Sequence, residues 1–218
     1  MRWNSPRIAI ARGPLAAAAL VLAAACSSDS GTGSKGVEVQ PTASLQFLTP
    51  RAGAPPLVAT STSFWAKKGD NRELRLYYHK AIDEADSSEF LRFRVDAQSL
   101  DRRPDGTPIA TGDSVLITVT VSDLTNLIID FQPAGLHFAA SRPARLTIKY
   151  AEADEDLNDD GEVNGEDTTL LNELAIWRRE SATDPWEKQA SVLNTTELEL
   201  QTDVLGFTNY AIAYRKAQ

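Results

Sequence analysis

Asp156, Asn158, Asp160, Glu162, Asn164 and Asp167 fall at positions 1, 3, 5, 7, 9 and 12 of one continuous stretch, with Gly161 at position 6. All of these residues offer oxygen, and hard divalent cations take oxygen ligands. The spacing is that by which a twelve-residue loop wraps a calcium ion. Asp156, Asn158 and Asp160 would each give a side-chain oxygen and Glu162 its backbone carbonyl. Asn164 would act directly or through water, and Asp167 would close the loop. Gly161 permits the positive φ that turns the chain, and Val163 at position 8 is expected to pin the loop to the body below. Charge points the same way: Asp154, Glu155, Asp159 and Glu166 crowd the same stretch, and so many carboxylates repel one another without a cation. The bland alternative is a solvated acidic turn, since Asn-Asp-Asp-Gly is a good turn sequence in itself. Twelve matched positions favour calcium, in a structural role.

Asp167 stands where glutamate is usual in EF-hand loops. The pattern Asp-x-Asn-x-Asp-Gly-x-Val-Asn-x-x-Asp, followed by Thr168-Thr169-Leu170-Leu171, resembles one repeat of a dockerin over about residues 154–173. Dockerins dock bacterial surface enzymes onto cohesins and carry two such repeats. This chain has one, so the resemblance implies the ion site rather than cohesin docking.

The loop needs a body to hold it, and from Ser63 onward the apolar residues recur with period two. Leu74 and Leu76 alternate with Arg75, and Leu91, Phe93 and Val95 with Arg92 and Arg94. Val115, Ile117, Val119 and Val121 alternate with Leu116, Thr118 and Thr120, and Leu146 and Ile148 follow, then Tyr210, Ile212 and Tyr214. Such alternation marks strands with one buried face. Turn sequences such as Pro104-Asp105-Gly106 separate the runs, so the expected fold is all-β, an antiparallel β-sandwich with one short calcium-loop and helix insertion at 154–173. Only Ala81–Ser88 and Glu166–Glu173 read as helix. The sandwich is expected over 61–218, with residues 26–60 as a flexible tether in which Leu45-Gln46-Phe47-Leu48 could add an edge strand.

Part of this body has a second resemblance. Pro133-Ala134-Gly135-Leu136-His137-Phe138, then Pro143-Ala144-Arg145-Leu146-Thr147-Ile148-Lys149-Tyr150, then Leu174-Ala175-Ile176-Trp177 and Phe207-Thr208-Asn209-Tyr210 resemble bacterial ZU5-like β domains over roughly 113–214. The resemblance implies a sandwich that mediates protein contacts, with the calcium loop inserted after Tyr150 and before Leu174. Some ZU5-like domains cleave themselves at His-Phe-Ser. Here the positions read Gly206-Phe207-Thr208, so self-cleavage is not expected and Phe207 and Tyr210 are read as core.

The N-terminus reads as an address. Arg2, Arg7 and Arg12 precede an apolar run, Leu15 to Ala25, that falls short of the roughly 20 residues needed to span a bilayer. Residues 1–25 are read as a signal peptide. The run ends at Ala23-Ala24-Ala25-Cys26, with the chain's single cysteine, and resembles the lipobox of bacterial lipoproteins, which implies a lipid on Cys26. Acyl chains contribute about 0.8 kcal/mol per buried methylene, so two or three anchor a protein to a membrane. Ser27, where aspartate would signal inner-membrane retention, favours the outer membrane, facing the periplasm or the surface. Cleavage removes three of the 22 basic residues and none of the 30 acidic ones, moving the net charge from −8 to −11. That sign argues against nucleic acid as a partner.

Nothing in the sequence assembles an active site. His79 and His137 are the only histidines, and no phosphate-binding glycine loop, zinc cluster or nucleophile elbow is present. The expected function is a non-catalytic, calcium-stabilised binding or scaffolding module at the cell envelope, its partner an envelope protein or glycan. The alternatives are a carbohydrate-binding accessory lipoprotein and, behind it, a calcium-dependent hydrolase. Trp65, Trp177 and Trp186 bear on the first: exposed they could stack on sugar rings, buried they are core, and core is the commoner fate of tryptophan in a sandwich.

Overall fold

The computed structural model describes residues 37–79 and 88–216. The signal peptide, Cys26, the first part of the tether and all but Ser88 of the helix expected over 81–88 lie outside the described residues. What is described is an all-β, sandwich-like fold with one short α-helix, and its strands pair antiparallel throughout.

The larger sheet contains β1 (Val39–Gln40), β2 (Leu45–Phe47), β3 (Ser61–Lys67), β7 (Ser114–Asp123), β8 (Ile128–Gln132), β11 (Ala175–Arg179), β12 (Trp186–Lys188) and β15 (Asn209–Arg215). Its order is β1-β12-β11-β15-β8-β7-β3, and β2 pairs with β15 beyond the end of β8. The smaller sheet runs β13-β14-β10-β5-β4, from β4 (Arg72–Tyr77), β5 (Glu89–Val95), β10 (Ala144–Lys149), β13 (Ser191–Asn194) and β14 (Glu199–Val204). A short pair, β6 (Leu100–Arg102) and β9 (His137–Phe138), stands apart. The chain crosses repeatedly between the two main sheets, so neither can form as a run of local hairpins alone.

The period-two residues face inward, as the alternation requires. Val115, Ile117, Val119 and Val121 from β7 meet Leu91, Phe93 and Val95 from β5 and Leu146 and Ile148 from β10 in one core. At its centre Phe93 lies 4.9 Å from Phe131 and 5.5 Å from Phe207, ring centroid to centroid, and Phe207 lies 5.1 Å from both Phe131 and Phe138. Tilted and edge-on contacts of this kind suit the ring quadrupoles. Tyr210 joins them and satisfies its buried hydroxyl by donating to the Gly206 carbonyl at 2.7 Å. Burial holds that phenol well above its ordinary pKa.

β15 departs from simple alternation because both its faces are covered. Tyr210, Ile212 and Tyr214 enter the main core, while Ala211 and Ala213 lie under a second cluster with Leu45, Trp177 and Trp186. Small side chains leave room for the Trp177 indole, whose Nε1 donates to the Ala213 carbonyl at 2.9 Å. The Arg179 guanidinium sits 4.5 Å over the Trp186 ring. This second cluster revises the 26–60 tether. Within it β1 pairs with β12, β2 pairs with β15, and Leu45 and Leu48 are buried. The physical reason is Trp186, whose ring needs Phe47 at 5.3 Å and whose Nε1 needs the Thr42 hydroxyl at 3.2 Å.

Phe207 touches three other phenylalanine rings of the core, Phe93, Phe131 and Phe138. Phe207→Ala should cost about 3–5 kcal/mol in urea unfolding. A loss below about 1 kcal/mol would mean that the aromatic centre is not a packed core.

Candidate metal centre

The loop lies between β10 and β11, after Tyr150 and before Leu174, and ends in helix α1 (Gly165–Leu171). Two carboxylates close it. Asp156 Oδ1 accepts from the Asp160 N–H at 3.1 Å and its Oδ2 from the Gly161 N–H at 2.7 Å. Gly161 has φ 88°, the conformation expected at position 6, and Asp159, two residues before it, has φ 59°.

Asp167 closes the other end. Its Oδ1 accepts from the N–H groups of Leu157 (2.8 Å) and Asn158 (3.3 Å), and its Oδ2 from that of Asn164 (2.8 Å). The backbone bond from Asn164 is the chief reason its pKa lies below the usual carboxylate range; desolvation works against it, and Asn158 and Leu157 assist. Asn164 in turn caps α1, its Oδ1 accepting from the Glu166 N–H at 2.7 Å, so Asn164 and Asp167 together form a capping box. Both residues therefore have a helix-starting role that the ligand reading overlooked, although Asn-x-x-Asp ahead of an apolar pair is a legible signal.

The remaining predicted ligands are close but engaged locally. Asn158 Oδ1 accepts from the Asp160 N–H at 3.1 Å, Asp160 Oδ1 from the Glu162 N–H at 2.9 Å, and Asn158 Nδ2 donates to Asp160 Oδ2 at 3.0 Å. Among the described residues no three His, Cys, Asp or Glu side chains stand in metal-holding geometry. The six residues thus share one wound loop, yet Asp156 and Asp167 spend their oxygens on backbone N–H groups, and Asp160 on the Glu162 N–H and the Asn158 amide, rather than on a common centre. A carboxylate has about four lone-pair sites, and Asp156 and Asp160 each use two here, so both keep acceptor capacity. The all-oxygen donor set fits calcium.

The attachment to the body differs from expectation at one point. Val163 lines the rim of the cavity below but stays 64% exposed, whereas Leu157 at position 2 is buried. Leu157 also supplies the carbonyl that receives the Tyr214 hydroxyl from β15. Below, Leu48, Leu171, Leu174 and Leu198 help line a cavity of about 230 Å³, so the loop rests on apolar ground without filling it. Arg51 and Glu152 form an ion pair at 2.6 Å at the loop's approach.

Outside the loop, the histidines are apart: His79 and His137 are both exposed, and His137 lies on β9 between buried Leu136 and Phe138. Compared with family models, curated proteins and solved structures, the chain matches none.

Two predictions test the loop in metal-free protein. Tyr214→Phe removes the hydroxyl from the Leu157 carbonyl and should cost about 1 kcal/mol, with faster amide exchange across 156–167 than in the sheets. Because the folded pKa of Asp167 is depressed, its contribution is present above the unfolded value of about 3.9 and is lost as pH falls through the folded value. Amide protection at Leu157 and Asn164 should therefore drop in acid. Asp167→Asn should abolish that pH step; a step of the same size in the variant would assign it to another carboxylate.

Proposed function

We propose that the chain is a non-catalytic, calcium-stabilised β-sandwich binding module, held at the cell envelope by a lipid on Cys26 and facing the periplasm or the surface. The loop at 156–167 carries this reading. Six oxygen donors at calcium spacing are wound about Gly161, and the loop is tied to the sandwich through Leu157 and Tyr214. Calcium would draw Asp156, Asp160 and Asp167 together with Asn158, the Glu162 carbonyl and Asn164, neutralising charges that otherwise repel. The role is structural, since the loop sits over the main core and beside the central strand. The ZU5-like and dockerin-like resemblances agree with a module that makes contacts rather than one that turns over substrate.

Carbohydrate binding is the second reading, and one observation favours it. Trp177 and Trp186 are buried, but Trp65 on β3 is 61% exposed.

The test is metal uptake and its thermal consequence. Purified protein should bind calcium, and terbium in its place, saturably and with one ion per chain. At a calcium concentration 100 times the dissociation constant, binding contributes about 2.7 kcal/mol, so chelation should lower the melting temperature by several degrees. Asp156→Ala with Asp160→Ala should remove both effects. Absence of saturable uptake, or a melt indifferent to chelator, refutes the structural role of calcium.

A further inference from the structure

The outer face of the larger sheet is divided. Over β11, β12, β2 and the start of β8 at Ile128 it is sealed by the second aromatic cluster, whereas over β3, β7 and the Asp130–Gln132 end of β8 it is open. Strand register makes the chemistry of the open part explicit. Ser61 lies opposite Thr120, Thr120 opposite Asp130, and Asp130 opposite Asn209, forming one polar row across four strands. At a strand spacing near 4.8 Å that row is roughly 14 Å long. Parallel to it run Ser63, Thr118 and Gln132, and next to these the pair Trp65 and Leu116.

The polar groups are pre-ordered by one another. Ser61 and Thr120 hydroxyls lie 2.8 Å apart, as do those of Ser63 and Thr118. Asp130, the one charged member of these rows, accepts from Gln132 Nε2 at 2.9 Å and Asn209 Nδ2 at 2.8 Å. Each linked hydroxyl pair keeps one free O–H and unused lone pairs, so the surface can both donate and accept without rearranging.

We propose that this terrace binds a neutral polysaccharide, with Trp65 as the stacking platform. The inference deepens the carbohydrate reading above and names its surface. The chemistry selects the occupant. A pyranose presents an apolar C–H face and an equatorial rim of hydroxyls, matching one indole beside two rows of hydroxyl and carboxamide groups. A protein partner would want a larger apolar centre than one indole and one leucine. Asp130 within the rows and Lys67 and Arg179 at their margins give the terrace no block of positive charge to hold an anionic polymer, and the acidic chain as a whole repels one.

The experiment is affinity electrophoresis of the calcium-loaded protein in native gels containing soluble β-glucan, xylan or galactomannan, with polygalacturonate as the anionic control. Retardation by at least one neutral polymer is expected, weakened about tenfold in Trp65→Ala and measurably in Thr118→Val. Both side chains point to solvent, and unchanged melting and terbium uptake would show that the variants keep the fold. No retardation by any neutral polymer, or retardation indifferent to Trp65→Ala, overturns the proposal. So does self-association of the wild type that Trp65→Ala abolishes, which would assign the face to a second copy of the chain. A protein that takes up terbium yet is never retarded loses the glycan inference alone, while one retarded without metal uptake loses only the calcium reading.

Discussion

Burial of both faces of β15 is the constraint on which the rest of the molecule depends. On one side Tyr210, Ile212 and Tyr214 complete the core between the sheets; on the other, Ala211 and Ala213 lie flat under Trp177. The strand is paired along one edge with β11 and along the other with β8 and then β2. Its last tyrosine reaches out of the sandwich to the Leu157 carbonyl. Core, second cluster and loop are therefore joined through seven consecutive residues. A larger residue at Ala211 or Ala213 would have to displace an indole that is itself fully buried, the kind of overpacking that typically costs 1–3 kcal/mol.

The loop poses the opposite problem, too much charge in too little space. The wound backbone answers part of it by turning N–H groups toward the carboxylate oxygens of Asp156 and Asp167. Backbone dipoles carry partial charge, however, and the stretch from Asp154 to Asp167 holds many more carboxylates than these two. In the proposed calcium-bound state a divalent ion supplies the remainder. The same residues thus serve helix capping and ion binding, and the two roles agree geometrically because position 12 of the loop is also the third residue of α1.

Much of the sandwich was legible because strands with one wet face print their geometry as alternation, and β4, β5, β7 and β10 do so plainly. β15 was legible only in part. Its inward tyrosines and isoleucine alternate as expected, but the significance of Ala211 and Ala213 depends on Trp177 and Trp186, which no local pattern brings together. For the same reason residues 39–47 read as tether: their partners lie about 140 to 170 positions away in sequence. Within the loop, spacing gave the donor residues but not the anchor, since Leu157 and Val163 are equally apolar and only the path of the chain decides which faces Tyr214. Trp65 sits between Phe64 and Ala66, where both parities look buried, and the cross-strand register with Leu116 settles its outward direction.

The position of β15 has a further consequence for the order of assembly. No described strand comes later in the chain, yet it lies in the interior of the larger sheet, between β11 and β8. Until residues 209–215 emerge from the ribosome, β11 and β8 present open edges and the aromatic centre lacks Phe207 and Tyr210. The larger sheet therefore closes only once residues 209–215 have been made, so locking of the aromatic core is a late event in the folding of the described residues.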